Sequence, residues 1–254
     1  MKIEFQNISK SFNGGNNVSG IAVLDEISFG VAEAEFFCIV GPSGCGKSTI
    51  INLAAGFIFP DKGQISVDEA AVAGPSASRT VVFQDYALFP WKTVFENIEF
   101  GLKCANADKE QRRQSVINLA EKVRLSQFLD CYPDRLSGGM KQRVAIARAL
   151  AVNPNIILMD EPFASLDQQT RDVLQEELLG FRNEFLQTII FVTHNIEEAI
   201  FLGDKVMVMS HRPGRVKAIL DVPFPKPRRP EIRNDSDFLK LKQSVWRLLR
   251  EEAF

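Results

Sequence analysis

The sequence predicts an α/β domain built on a mostly parallel sheet. Short apolar segments alternate along the chain with segments of helical periodicity, as in strands joined by crossover helices. The segments IILMD and TIIFV are dominated by apolar residues, which is expected of strands covered on both faces. With 254 residues, 45% of them hydrophobic, the chain is long enough for one large domain or two small ones.

Six segments are predicted to be strands, each short, apolar and followed by polar or turn residues. They are KIEFQNIS (2–9), EFFCIV (35–40), RTVVFQ (79–84), NIILMD (155–160), TIIFVTH (188–194) and DKVMVMS (204–210). Helical periodicity follows several of them, in KSTIINLAAGF (47–57), KQRVAIARALA (141–151), TRDVLQEELLGFRNEF (170–185) and NIEEAIFLG (195–203). The polar region that begins near residue 87 has helical periodicity and no good strand pattern, so it is predicted to open a helical subdomain of about 87–150.

The last part of the chain is predicted to be separate from the domain that spans residues 1–220. A basic, Pro-rich linker, VPFPKPRRP, follows Asp221. The segment SDFLKLKQSVWRLLREE (236–252) follows, and its apolar residues at helical spacing predict a terminal amphipathic helix. They are Phe238, Leu241, Val245 and Leu248. Packing of this helix back onto the domain is favoured over binding to a membrane surface.

Composition excludes several functions. The net charge of −2 and the pI of about 5.8 argue against a nucleic-acid-binding surface. The four cysteines show no CxxC spacing, and the N-terminus has no apolar targeting region, so reduced thiols are expected. No apolar run approaches the roughly eighteen residues of a membrane-spanning helix. The protein is therefore expected to be cytoplasmic and to reach a membrane only through a partner.

The segment GPSGCGKST matches the phosphate-binding pattern G-x4-GK-[ST] between a predicted strand and a predicted helix. Lys47 can reach the β- and γ-phosphates of a nucleotide, and the Ser48 hydroxyl can bind Mg²⁺. Cys45 is interpreted as a small residue that fills a tight loop rather than as a reactive thiol. The predicted phosphate-binding residues are Gly41, Pro42, Ser43, Gly44, Cys45, Gly46, Lys47, Ser48 and Thr49.

A second anion site is indicated by LSGGMKQRVAIARAL (136–150), where a Ser-Gly-Gly turn opens a helix. The first backbone N–H groups of a helix have no partner within the helix, and they attract anions. A simple helix cap explains an isolated Ser-Gly-Gly equally well. The sequence alone therefore raises the question of why one chain carries two phosphate-binding segments.

Polar side chains follow three of the predicted strands. Ligands of open α/β sheets bind beyond the carboxyl ends of the strands, so Asp160 is placed to hold Mg²⁺ and Glu161 to orient or deprotonate an attacking water. These two acids alone would fit a solvated turn equally well. The functional interpretation is favoured because the phosphate-binding loop is present. His194 ends another strand and is predicted to contact the γ-phosphate or the water rather than to be purely structural. The Gln84 amide is predicted to sense Mg²⁺ or water.

Six motifs together resemble those of the ABC-type ATPases, over residues 1 to about 220. They are, in order, Walker A (41–49), a Q-loop glutamine (Gln84), the signature (136–142), Walker B with Glu161 (156–161), a D-loop (164–167) and a switch histidine (His194). The sequence of segments 82–98 and 192–216 is similar to that of importer subunits of the nitrate, sulfonate and taurine group.

The resemblance implies a RecA-like P-loop core with an N-terminal antiparallel β subdomain and an inserted helical subdomain. It implies a Mg²⁺-dependent ATPase that energises an ABC importer from the cytoplasmic face of the membrane. The implied partners are a second copy of the chain, membrane permease subunits and, indirectly, an external substrate-binding protein. In this family each ATP lies between the Walker A loop of one chain and the signature of the other, which answers the question of the two segments. The implied nucleotide contacts beyond Walker A are Phe12, Ser137, Gly138, Gly139, Gln142 and Asp167.

Three departures from the family pattern stand out. Phe12 occupies the place of an adenine-stacking tyrosine, and the alternative for it is a core residue. Ala34-Glu35 replaces Gly-Glu before Walker A, and Asn195 replaces the aspartate after the switch histidine.

Two other functions stay open at the level of the sequence. They are a soluble ABC-type ATPase switch outside transport and an inactive binding module, although the presence of Lys47, Asp160, Glu161 and His194 argues against the latter. Aromatic residues after Gln84 predict a groove for a short permease helix, with the core of the insertion as the alternative. They are Tyr86, Phe89, Trp91 and Phe95.

Overall fold

The computed structural model describes residues 1–14 and 18–250, which form two compact units. The first unit comprises Met1–Pro75 and Leu186–Phe254, and the second comprises Ser76–Phe185. The predicted class is confirmed, because parallel strands form the centre of each unit and an antiparallel sheet precedes them. Each predicted strand and helix is present within these ranges.

The strands are β1 (Ile3–Gly14), β2 (Val18–Val31), β3 (Phe36–Val40), β4 (Lys62–Val67), β5 (Ala70–Ala71), β6 (Arg79–Val82), β7 (Ile156–Asp160), β8 (Thr188–Thr193), β9 (Lys205–Met209) and β10 (Val216–Asp221). The helices are α1 (Lys47–Ala55), α2 (Val94–Cys104), α3 (Lys109–Lys122), α4 (Gly138–Ala151), α5 (Gln168–Phe185), α6 (Ile196–Leu202) and α7 (Ser236–Arg250). Short 3-10 helices cover Ser126–Phe128, Pro133–Arg135 and Pro230–Asn234.

An antiparallel sheet in the order β2-β1-β4-β5 opens the first unit. The register of β1 against β2 shifts between Phe5 and Ile8, where Asn7 has φ 49°. This bulge lets both Phe5 and Ile8 face the core, although a regular strand alternates its faces at every residue. The Phe29 ring stacks between those of Phe5 and Phe37, with centroid distances of 4.3 and 5.2 Å, and so joins this sheet to β3.

The strands that carry the predicted phosphate loop form the second sheet of the first unit. β3 pairs in parallel with β8 on one side and with β9 on the other, and β10 pairs antiparallel with β9. All residues of β3 and β8 are buried, which explains why apolar runs predicted them. Because β3 and β8 are parallel neighbours, the segments that follow them leave from the same edge of the sheet.

The terminal helix α7 packs against α6 and β9 in the first unit. Its Phe238 and Val245 side chains are wholly buried, and the Phe238 ring lies 5.8 Å from that of Phe224. Lys242 Nζ donates a hydrogen bond to Glu197 Oε2 at 2.7 Å. In the described part of the chain, no helix combines the length and the apolar character that crossing a membrane requires.

The second unit combines a parallel strand pair with helices. β6 pairs with β7 in the register Arg79 to Ile156 through Val82 to Met159. Helices α2, α3 and α4 pack on one another. The unit begins before the predicted helical subdomain and ends after it, because it also includes β6, β7 and α5. The helix α2 begins with a capping box in which Thr93 and Glu96 bond reciprocally.

Candidate nucleotide-binding site

The loop between β3 and α1 has the backbone of a phosphate cradle. Gly44 and Gly46 have φ of 77° and 100°, in the left-handed region that favours glycine. A Cβ atom added at Gly46 would lie 2.5 Å from Leu24 Cδ2, whereas one added at Gly44 would meet nothing within 4 Å. Gly46 therefore lets α1 begin close against β2, while Gly44 leaves an open approach to the loop.

The start of α1 fits a phosphate group. Its N-cap, Gly46, has no side chain with which to satisfy the first N–H groups of the helix, and the first turn carries no acidic residue. Lys47 is only 5% exposed, and its Nζ donates to the carbonyl oxygens of Gly41 (2.9 Å) and Pro42 (3.1 Å). The loop thus brings N–H donors, a helix dipole and an ammonium group together, which is the donor set that a polyphosphate requires.

Cys45 is buried inside this loop, with 1% of its surface exposed. A Cβ atom added at Gly41 would lie 2.7 Å from Cys45 Sγ. The thiol therefore fills the space beside Gly41, in agreement with its interpretation as a small packing residue.

His194 follows β8 at the same sheet edge as the phosphate loop, and it is exposed. The next residue, Asn195, caps α6, because its Oδ1 accepts from the backbone N–H groups of Glu197 (3.0 Å) and Glu198 (3.2 Å). Asparagine is an effective N-cap, so the departure from aspartate keeps the geometry and removes a charge.

Phe12 lies on β1 with 42% of its surface exposed, so the alternative of a core residue is wrong. Asp61 holds the preceding residues, since it accepts from Lys10 Nζ (2.8 Å) and from the Ser11 backbone N–H (2.6 Å). These bonds, the one from Lys10 foremost, lower the pKa of the Asp61 carboxyl. The Phe12 ring is therefore presented on a fixed strand segment.

Hydrogen bonds on both sides of Ala34 close the turn before Walker A. Ala34 has φ 55°, in the left-handed region, and its N–H donates to Thr188 Oγ1 at 3.0 Å. Glu35 Oε2 accepts from the Ala32 N–H at 2.6 Å, and Glu35 also pairs with Lys205 at 3.0 Å. These bonds hold the turn closed, with an alanine in a conformation that suits glycine.

In the second unit, Gln84, Asp160 and Glu161 leave from one sheet edge. Asp160 is the last residue of β7, and Gln84 lies two residues beyond the end of the neighbouring parallel strand β6. Glu161 has φ 45° and is half-buried, and its carbonyl oxygen accepts from the Ala164 N–H at 3.1 Å. The structure thus brings the predicted metal-sensing amide and both predicted acids to the same edge.

Ser137 caps α4, with its Oγ accepting from the Met140 N–H at 3.3 Å. No acidic residue lies in the first turn of this helix, so an anion meets no like charge there. Both glycines of the turn have close neighbours: an added Cβ would lie 3.2 Å from Tyr86 Oη at Gly138 and 2.6 Å from Thr170 Cγ2 at Gly139. They therefore have packing reasons to be glycine, whatever they bind.

Gln142 lies in surroundings that the sequence did not indicate. Its side chain on α4 is wholly buried, and neither amide atom has a hydrogen-bond partner among the described residues. The predicted contact of Gln142 with ATP stays a prediction.

Asp167 directly precedes α5 and supports its first turn. Its Oδ1 accepts from the Thr170 N–H at 3.0 Å, and hydrogen bonds from Thr170 lower the pKa of the Asp167 carboxyl. Its predicted contact with ATP stays a prediction. Among the residues that the structure describes, no group of three or more His, Cys, Asp or Glu side chains is arranged to hold a metal ion. Of the predicted metal ligands, Ser48 lies in the first unit and the other two in the second.

Two residues that the sequence did not assign to the site, Tyr86 and Arg148, link its segments within the second unit. The Tyr86 hydroxyl is 2.8 Å from Ser165 Oγ, and the Arg148 guanidinium donates to the carbonyl oxygens of Tyr86 (2.9 Å) and Ala87 (2.6 Å). Burial lowers the pKa of the Arg148 side chain. These contacts join residues 61 to 79 positions apart, so no local pattern indicates them.

The aromatic residues after Gln84 divide into two kinds. The Phe89 ring lies 4.6 Å from Phe100 and 5.7 Å from Trp91, and Trp91 is 71% exposed. Buried Asn97 fixes this loop through two hydrogen bonds to the backbone of Phe89. Its Oδ1 accepts from the Phe89 N–H, and its Nδ2 donates to the Phe89 carbonyl oxygen. Phe89 and Trp91 thus present a partly exposed aromatic surface, whereas the Tyr86 hydroxyl bonds to Ser165.

Comparison with known proteins gives consistent matches. A family model described as ABC transporter matches residues 24–164. A taurine import ATP-binding protein of Rhizobium johnstonii is 48% identical over 204 residues, 80% of this chain and 78% of that protein. A nitrate import ATP-binding protein of a Synechocystis species is 41% identical, over 98% of this chain and 96% of that protein. A solved dimeric ATP-binding cassette in a post-hydrolysis state with ADP and Pi has a TM-score of 0.76 and 30% identity, covering 88% of this chain and 100% of that chain.

Proposed function

The chain belongs to the ABC transporter family as an ATP-binding and ATP-hydrolysing subunit, and from this premise we propose that it energises the import of a small solute through a membrane permease. The single observation that carries the import assignment is the similarity along most of the length of relatives named for taurine and nitrate import. The solute is accordingly a small anion or a taurine-like sulfonate. The permease makes all contact with it.

Binding of ATP begins at the first unit. The backbone N–H groups of residues 43–49, at the start of the helix, surround the phosphates, and Lys47 Nζ leaves its carbonyl partners for the β- and γ-phosphate oxygens. Phe12 stacks on the adenine without donating a hydrogen bond. The buried position of Lys47 and the exposed position of Phe12 support these roles.

Mg²⁺ is the proposed cofactor, and when bound it would neutralise charge that develops on the phosphates. Ser48, Gln84 and Asp160 are its proposed ligands. A single carboxylate among them suits Mg²⁺, which is usually bound by one or two carboxylates together with phosphate oxygens and water.

Glu161 is the proposed general base. Its carboxylate takes a proton from the attacking water, the water oxygen forms a bond to the γ-phosphorus, and the bond to the ADP leaving group breaks. His194 contacts the γ-phosphate or that water from the end of β8. Ser137, Gly138 and Gly139 of a second chain donate N–H groups to the γ-phosphate, where negative charge is concentrated.

The proposed assembly has two copies of the chain, held to the cytoplasmic face of the membrane by permease subunits. The aromatic surface of Phe89 and Trp91 receives a short helix of the permease. An external substrate-binding protein delivers the solute to the permease without touching this chain. No nucleic acid takes part.

Phosphate release tests the chemistry. We expect hydrolysis that requires Mg²⁺, and we expect Glu161→Gln to retain ATP binding but lose most turnover, because the amide keeps the shape and cannot accept the proton. Parental turnover in Glu161→Gln would exclude Glu161 as the base. Uptake of labelled taurine, an alkanesulfonate and nitrate into proteoliposomes that contain this chain with its permease subunits and binding protein tests the transport assignment. Uptake that does not depend on ATP would contradict it.

A further inference from the structure

The Tyr86 hydroxyl lies where three segments of the candidate site meet. It is 2.8 Å from Ser165 Oγ in the segment 164–167, and 3.2 Å from the position of a Cβ added at Gly138, the first residue of α4. Tyr86 itself lies two residues after Gln84. The hydroxyl of this residue, which follows the Q-loop glutamine, therefore contacts the D-loop and lies near the start of the signature helix, all within the second unit.

The backbone of Tyr86 and Ala87 is held by a second set of contacts. Tyr86 and Ala87 have φ of 57° and 47°, a left-handed conformation that non-glycine residues rarely adopt. The Arg148 guanidinium bonds to both of their carbonyl oxygens and lies 5.6 Å from the Phe89 ring centroid. Arg148 belongs to α4, so the helix that begins with the signature also fixes the backbone from which the tyrosine projects.

The partner of the hydroxyl is close to Glu161 along the chain. Glu161 also has a left-handed backbone, and its carbonyl oxygen closes a turn with the Ala164 N–H. Such a conformation persists where the surroundings hold it in place. Ser165 is the next residue, so its bond to Tyr86 restrains the end of the turn that carries Glu161.

We propose that Tyr86 is a positioning residue for ATP hydrolysis: by bonding to Ser165, it holds the turn of Glu161 in register with Gln84 and the signature helix. This inference rests on the proposed role of Glu161 as the base. It differs from the assignment of Tyr86 to a permease groove, because the hydroxyl serves the site itself.

A double-mutant cycle tests this bond. Tyr86→Phe and Ser165→Ala each remove one hydroxyl, and each is expected to lower kcat about fivefold, the effect of one ordinary hydrogen bond. The double variant is expected to be no slower than the slower single variant, since both changes remove the same interaction. KM for ATP stays unchanged because the phosphate loop is untouched. Ser165→Thr keeps the hydroxyl and is expected to keep the wild-type kcat.

The only other tyrosine of the chain supplies the matched control. Tyr132 is exposed in the same unit, and Tyr132→Phe is expected to leave kcat unchanged. Ser165 is itself exposed, so Ser165→Ala retains the fold, which a thermal melt verifies.

Two results overturn the inference alone: single variants with the kcat of an active wild type, or effects that multiply in the double variant. A wild type that does not hydrolyse ATP overturns both this inference and the proposed function.

Discussion

The side chain of Ala34 disfavours the backbone conformation that its turn requires. Its backbone has φ 55°, while hydrogen bonds from the N–H groups of Ala34 and Ala32 to Thr188 and Glu35 keep the turn closed. The left-handed conformation costs free energy for an L-residue with a Cβ atom, and it does not for glycine.

We therefore expect Ala34→Gly to raise the free energy of unfolding, by up to about 1 kcal/mol, measured by urea denaturation. Ala32→Gly is the matched control, since Ala32 does not have positive φ. That change is expected to be neutral or destabilising. A lower denaturation midpoint for Ala34→Gly would show that the turn does not strain the alanine.

Asp61 makes stability depend on pH. Its pKa in the folded state lies below its ordinary value of 3.8, chiefly because of the bond from Lys10. A lowered pKa contributes stability that is present above about pH 3.8 and is lost as the pH falls through the folded-state pKa. Asp61→Asn is therefore expected to lower the urea midpoint at pH 7, and the gap to the wild type is expected to shrink below pH 3.8. A gap that is constant with pH would contradict this linkage.

The sequence could predict where the side chains at strand ends lie. It could not predict contacts between loops that are far apart along the chain. Asp160, Glu161 and His194 follow apolar strands, so their placement at sheet edges follows from topology alone. The burial of Gln142 and the bond from Tyr86 to Ser165 depend on how segments of the second unit pack, which spacing along the chain does not encode.

At the scale of elements, the apolar runs predicted β3 and β8 because both are covered on both faces. β2 escaped prediction, since several register shifts interrupt its pairing with β1 and blur the alternation of faces. The start of α2 carried a usable pattern, Thr93-x-x-Glu96, which is the sequence form of a capping box. The residues at the start of α2 thus carry enough information to indicate where that helix begins. β2 can be recognised only together with the strand that it pairs with.

The C-terminal segment closes the end of α6 through one buried arginine. Arg228 Nη1 donates to the carbonyl oxygens of Phe201 (3.0 Å) and Gly203 (2.6 Å), and Nη2 donates to that of Val222 (3.3 Å). The last carbonyl groups of a helix have no partner within the helix, so the guanidinium acts as a cap.

Arg228→Ala is expected to lower the free energy of unfolding by about 2 kcal/mol, because it leaves several buried carbonyl groups unsatisfied. Arg228→Lys is expected to restore little, since an ammonium group cannot reproduce the planar fork. The neighbouring Arg229 is exposed, so Arg229→Ala is the control and is expected to change stability little. Equal urea midpoints for the wild type and Arg228→Ala would refute the capping role.

At the scale of the whole molecule, the two anion sites of the sequence lie in different compact units. The phosphate loop belongs to the first unit and the signature turn to the second. Both are helix starts without acidic residues in the first turn. A site completed by a second chain gives each of them a use on the same ATP, which is the arrangement proposed above.

Mixing two inactive variants tests that arrangement. Lys47→Ala removes the charge that holds the phosphates, and Ser137→Arg places a bulky cation at the signature turn. Both are made in a Glu161→Gln background, where slow hydrolysis traps ATP-bound dimers. Each variant alone has two damaged sites per dimer. In a hybrid dimer, the Ser137→Arg chain supplies an intact phosphate loop and the Lys47→Ala chain supplies an intact signature, so one site is whole.

The mixture is therefore expected to form ATP-dependent dimers, seen by light scattering at saturating ATP, which neither variant forms alone. Dimerisation is the better readout, because one whole site does not guarantee turnover. The Glu161→Gln chain without further changes is the positive control, and thermal melts establish that both variants are folded. If each chain completed its own site, every chain in the mixture would remain damaged and no dimers would appear. Absence of hybrid dimers from folded variants would thus refute the shared site and leave the signature turn without a ligand.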